Sequence, residues 1–174
     1  MATALQLVNK VLRRLREDEA ATFTESYPNL ILDFINESKR EVEDAWNWTS
    51  LRTTKTIYTV AGTRQYAITG AGSRFRVYDM YNSTNHSWMP LAHNSYFNME
   101  LEDGDETQGS PSYYRIWGQD SNGDPYVEFS PVPDGVYTIK MYCHVPQADL
   151  VNTTDTLTVA EMPVVLGAWA KAIS

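Results

Sequence analysis

The sequence predicts an α+β fold: a helical bundle formed by the N- and C-terminal helices, with an antiparallel β-sandwich or small β-barrel inserted between them. Three observations predict it. Apolar residues recur at helical spacing from Leu5 to Trp46, the stretch from Leu51 to Val145 is rich in Thr, Tyr, Val and Ile with frequent turn residues, and an apolar helical run returns at Met162. The implied division is a helical bundle of residues 1–50 and 157–174 around a β-rich domain of residues 51–156.

Leu5, Leu7, Val8, Val11, Leu12 and Leu15 fill one side of the first helix, and Asn9, Lys10, Arg13, Arg14, Arg16 and Glu17 fill the other. A polar link to Ser26 follows, and Pro28 offers a pre-set first turn with Ser26 or Tyr27 near the cap. Leu30, Ile31, Phe34, Ile35, Val42, Ala45 and Trp46 form the apolar stripe of the second helix. Asp33, Asn36, Glu37, Arg40, Glu43 and Asp44 lie opposite. Two amphipathic helices with a short connection pack antiparallel.

In the β region, Thr56–Val60 and Arg64–Ile68 flank Gly62 and read as a hairpin. Phe75–Met80 is a strand, Trp88–Leu91 a short edge strand containing Pro90, and His93–Leu101 a brief helix. An acidic loop spans Glu102–Pro111, and Ser112–Trp117 is a strand. Pro125–Phe129 pairs with Val136–Tyr142 across the proline-rich turn Pro131–Gly135. Thr158 and Glu161 match a capping box, with Pro163 in the first turn of a helix that is apolar almost all round and therefore buried. The helical pattern is still running at Ser174 without a glycine cap, which leaves room for a further segment.

Of the 174 residues, 43% are hydrophobic, enough for a real core. The net charge of −8 removes the phosphate-neutralising drive behind nucleic-acid affinity. One cysteine excludes an internal disulfide framework and fits a reducing cytoplasm. The amino terminus has no signal-peptide pattern, and no run approaches the ~20 apolar residues of a membrane span.

Catalytic and metal-binding patterns are weak. His86 and His93 are seven apart and Cys143 adjoins His144, none of it a recurring ligand spacing; strand neighbours also point to opposite faces. Asp120-Ser121-Asn122-Gly123-Asp124 resembles the opening of a calcium loop, but Pro125 stands where glycine is required, so a turn is expected. The carboxylates from Glu100 to Glu106 read as a solvated surface. No nucleophile elbow or phosphate-binding loop occurs. These readings favour a protein without a cofactor that is not an enzyme.

Docking features are better represented. Lys10, Arg13, Arg14 and Arg16 put four of fourteen basic residues within seven positions, as a solvated helix face or as a dock for an acidic partner or a phosphate backbone. Trp46 continues the apolar stripe and belongs in the core, whereas Trp48 fits a core or an interface. An alternative function class is a carbohydrate- or peptide-binding β-sandwich module with Trp88, Tyr96, Tyr113 and Trp117 lining a groove, although the same alternation marks the core face of a sheet.

Three segments carry a resemblance. They are the opening helix with the longer one from Ile35-Asn36-Glu37-Ser38 to Ala45-Trp46-Asn47-Trp48, the segment Pro125-Tyr126-Val127-Glu128-Phe129 through Gly135-Val136-Tyr137 to Tyr142, and the return to helix at Glu161–Ala170. In this ordering, over nearly its whole length, the chain resembles the head-to-tail adaptor proteins of tailed bacteriophages, a group that includes tail tubular protein A. The resemblance implies a structural protein made in the host cytoplasm and resident at the head–tail junction of the virion. It would form a homo-oligomeric ring, a dodecamer, between the portal protein and a tail nozzle or tube protein. DNA would pass through the channel without sequence-specific binding and no membrane would be involved. An acidic channel would let DNA slide. The arm with which such proteins grip the portal has no counterpart in this sequence.

Overall fold

The computed structural model describes residues 1–102 and 107–174, with side chains described through Met99 and from Thr107. In chain order the elements are α1 (Ala4–Leu15), α2 (Ser26–Ala45), a 3-10 turn (Thr49–Leu51), β1 (Arg52–Tyr58), β2 (Gln65–Ala67), β3 (Arg76–Asn82) and β4 (Ser87–Met89). Then come α3 (Asn94–Glu102), β5 (Gln108–Gly109), β6 (Tyr113–Gln119), β7 (Pro125–Ser130), β8 (Val132–Pro133), β9 (Thr138–His144) and α4 (Glu161–Ala172). Helices and antiparallel sheets coexist, as α+β requires. The chain divides into two compact units, Met1–Leu51 with Pro146–Ser174, and Arg52–Val145.

In the helical unit, α1 starts on a capping box: the Thr3 hydroxyl accepts from the Gln6 amide at 3.3 Å and Gln6 accepts from the Thr3 amide at 3.0 Å. Leu7, Val8, Val11 and Leu12 bury against Ile31, Leu32 and Ile35 of α2 and Val164, Val165 and Ala168 of α4. The first and last segments of the sequence thus share one core. Gly167 permits the closest approach of α4 to α2, since a Cβ there would stand 2.9 Å from the Ser38 hydroxyl.

The polar face expected on α2 is partly inside. Lys39 and Glu43 are fully buried and Asn36 nearly so. Lys39 Nζ donates to the carbonyls of Gln147 at 2.7 Å and Ala148 at 3.0 Å, and lies 3.5 Å from Glu43 Oε1. Asn36 exchanges two hydrogen bonds with the Leu150 backbone, at 3.0 and 2.9 Å. Residues 146–156, expected with the β region, group with the helices for this reason. A polar ladder on α2 supplies the backbone partners an irregular segment lacks by itself.

The other corrections concern ends and pairings. The Thr158 box does not form: its hydroxyl donates to Gln147 Oε1 at 2.7 Å, and the N-cap of α4 is Ala160. α4 is not buried all round, because Met162, Leu166 and Ile173 are exposed. Trp46, the C-cap of α2, leaves the core at 68% exposed, and Leu30 near the start of the helix is 45% exposed.

The β unit is two packed sheets, ordered β1-β9-β3-β4 and β2-β7-β6, with a parallel pair β5-β8. Neither large sheet closes on itself, so the sandwich is found and the barrel is not. Ile57, Met80, Ile139, Met141 and Cys143 from one sheet meet Val127, Phe129 and Tyr114 from the other. β4 is an edge strand, as Pro90 implied, and β1 is the other edge of the same sheet. Neither expected hairpin exists. β1 pairs with β9 and β2 with β7, so each turn carries the chain from one sheet to the other. The two turns bond to one another instead: the Thr59 amide donates to the Tyr137 carbonyl at 3.0 Å, the Thr59 hydroxyl to Gly135 at 2.8 Å, and the Gly62 amide to Pro133 at 2.8 Å. Turn residues dictate where a chain bends, and burial of both sheets decides what it pairs with. The acidic loop expected at Glu102–Pro111 falls largely on Asp103–Glu106, outside the described residues.

Candidate functional site

Lys10, Arg13 and Arg14 line one depression beside α4, and α1 contains no acidic residue between them. Lys10 is half-buried and paired with Glu161 of α4. Arg13 is exposed and reaches Glu19 at 3.2 Å, while its Nε also donates to the Asn9 carbonyl at 3.3 Å. The Arg14 guanidinium sits 5.8 Å from the centroid of the Trp169 ring, a cation–π contact between α1 and α4. Arg16 caps α1 in the left-handed conformation at φ 63° and is exposed. Lys10, Arg13 and Arg14 with Glu161, Met162 and Val165 line a shallow depression of about 480 Å³. The cations border exposed apolar side chains, the mixture that a protein interface uses.

Trp48 is in a different position. It is half-buried against the helical core, and its indole N–H donates to the Val42 carbonyl at 2.6 Å, closing the end of α2. It packs where Trp46 was expected to pack, and Trp46 is the exposed one. The α2 apolar period extends to Trp46, which is why the sequence alone placed Trp46 in the core while leaving Trp48 open between a core and an interface.

In the β unit, the four aromatics considered as one groove lie on two sheets. Trp88 stacks with Tyr81 at 4.9 Å and Tyr142 at 6.0 Å on the open face of the four-stranded sheet. Beside them Arg52 lies 5.1 Å from the Tyr78 ring, and a cleft of about 550 Å³ opens between Arg52, Asp79, Trp88 and Tyr142. Tyr96 and Tyr113 meet at 5.4 Å on β6 and α3, a region of the other sheet. There Arg115 is buried between the rings of Phe97 and Trp117, each 4.7 Å away, and is ion-paired with Glu128 at 2.6 Å. The pair holds α3 to the sheet through Asn98 at 3.0 Å. Sequence reasoning missed this cluster, although Tyr113, Arg115 and Trp117 alternate on one face of β6.

Of the residues weighed for chemistry, Cys143, Asp120 and Asp124 have structural roles, and the side chains of Glu100–Glu106 lie outside the described residues. Cys143 faces the sandwich core, and burial pushes its thiol pKa up, away from a reactive thiolate. His86 and His93 are exposed, and among the described residues no three His, Cys, Asp or Glu side chains are grouped to hold a metal. Asp120 accepts from the amides of Asn122 at 2.8 Å and Asp124 at 2.9 Å, an Asx turn. The Asp124 oxygens accept from Gly72 at 2.9 Å and Gly70 at 2.7 Å, and those amides hold its carboxyl below the usual range. The calcium-like sequence therefore closes a loop with its own backbone. Among the described residues no helix is long and apolar enough to cross a membrane.

Among the described residues the geometry offers docking surfaces of charge and exposed rings. No curated protein matches the chain. The family model of the SU10 adaptor protein matches residues 2–173, spanning both compact units. The chain thus belongs to the SU10 adaptor protein family of phage head–tail adaptors.

Proposed function

We propose that this phage adaptor, a structural component of the virion, is a non-enzymatic ring subunit at the head–tail junction. In this reading the ring, dodecameric by the resemblance, binds the portal protein on one side and a tail nozzle or tube protein on the other. DNA passes through it without sequence-specific contacts. The observation that carries the reading is the family match across residues 2–173. The charge of −8 supports a lining that repels DNA enough to let it slide. We take the helical and β units to be separate domains that supply separate contact surfaces. Lys10, Arg13, Arg14 and Arg16 are the docking residues on the helical one, and the Trp48 contacts favour a packing role for that residue.

Gradient sedimentation of the full chain mixed with portal rings from the same phage tests the proposal. Co-sedimentation at a fixed ratio of several copies per ring is the expected result. A chain that stays at the top of the gradient with portal rings present refutes it.

A further inference from the structure

With the exception of Arg40, which is exposed on α2 and paired with Asp149, the exposed charges of α1 and α2 separate by helix. On α2, Asp33, Glu37, Glu41 and Asp44 are all exposed, and their spacing of four, four and three residues puts them on one side of the helix. At about 1.5 Å of rise per residue the stripe runs roughly 16 Å. Leu30, 45% exposed, and Tyr27, 42% exposed, extend it with apolar surface toward the start of the helix. On α1 the exposed side carries Lys10, Arg13 and Arg14, with Arg16 at the cap, and is bordered by the exposed Met162 of α4. Neighbouring charges blunt both faces, with Glu17, Asp18 and Glu19 exposed just past α1 and Arg40 exposed on α2. Lys171 answers Glu41 at 2.8 Å and Glu37 at 3.4 Å, while Glu161 and Glu19 answer Lys10 and Arg13.

We infer that copies of this chain join head to tail, the cationic α1 face of one subunit seated on the acidic α2 stripe of the next. Two complementary patches on different helices of the same unit make a heterologous contact, which closes into a ring when the rotation between neighbours allows. A symmetric pairing would set the acidic stripe on itself, and like charges face to face oppose it. Each face also brings exposed apolar side chains for the dry centre that an interface needs, with the charges at its rim setting partner and register. The inference rests on the ring reading and adds which surfaces meet.

The test reverses each face separately in the full chain. Arg13→Glu with Arg14→Glu makes α1 acidic, and Asp33→Arg with Glu37→Arg makes α2 basic. All four positions are exposed, and unchanged circular dichroism and melting confirm the fold. Mass is read by analytical ultracentrifugation with and without the phage's portal rings. Wild-type protein is expected to assemble, and each variant alone to associate at least tenfold more weakly. An equimolar mixture of the two should recover assembly, since every junction in an alternating ring again joins opposite charges. If both variants assemble as tightly as wild type, or if the mixture recovers nothing, this inference is overturned while the ring reading stands. A wild-type chain that stays monomeric even with portal rings overturns both.

Discussion

Replacing Lys39 by Met keeps the length of a buried side chain and deletes its charge. Lys39 has no solvent-exposed surface, and its ammonium donates to two backbone carbonyls at 2.7 and 3.0 Å beside the equally buried Glu43. Each hydrogen bond from a charged donor contributes about 1.5–3 kcal/mol. Removing one partner of a buried ion pair costs about 3–5 kcal/mol, because the other charge is left inside. Both routes give a loss of about 3–5 kcal/mol, against a total stability of about 5–15 kcal/mol for a domain of ordinary size. Urea unfolding followed at 222 nm should therefore show a much lower midpoint. Limited proteolysis should cut first near Gln147–Leu150, the segment that Lys39 and Asn36 hold. Adding Glu43→Leu should restore about 1 kcal/mol, since it removes a buried carboxylate but also the acceptor of the Gln147 amide at 3.3 Å. A loss below about 1 kcal/mol for Lys39→Met would refute the reasoning, as would a double variant weaker than the single.

Gly167→Ala should destabilise by about 1–2 kcal/mol, since overpacking against Ser38 at 2.9 Å outweighs the helix-propensity gain of about 1 kcal/mol; thermal melts compared in a Ser38→Ala background should show a smaller penalty. Trp48→Ala should cost about 2 kcal/mol and Trp46→Ala less than about 0.5 kcal/mol in urea titrations, the reverse of the order expected from the apolar stripe. Asp124 and Asp155 have carboxyls held below the usual range by backbone amides of Gly72 and Gly70, and of Val151 and Asn152. A depressed folded-state pKa contributes stability that is present above the unfolded value, near pH 4, and is lost as pH falls through the folded one; Asp124→Asn should flatten that acid limb in urea midpoints measured below about pH 4. Cys143 should resist iodoacetamide at mildly alkaline pH in the native protein and react fully once unfolded, and rapid native labelling would contradict its burial.

Long periodic elements were legible in the sequence because their signal is repeated many times. The stripe Leu7, Val8, Val11 and Leu12 specifies one buried face of α1 several times over, and the Val164, Val165 and Ala168 side of α4 closes the same core. Pairing was illegible, because Gly62 and Pro131–Gly135 mark bends whose strands then find partners in different sheets. Buried polar residues misled in the same way. Asn36, Lys39 and Glu43 share the side of α2 that carries Leu32, yet their chemistry argued for solvent until the Gln147–Leu150 backbone supplied partners. Of the docking residues, the cations of α1 were readable as a cluster. What borders them, Trp169 and Met162, comes from more than a hundred residues away and appears only once α4 has packed.

Gold-labelled antibody against this chain, imaged on intact virions, tests the adaptor account most directly. The account predicts label at a single point where head meets tail, persisting on isolated portal–tail complexes. Label spread over the capsid shell, or confined to fibres away from that vertex, would contradict it.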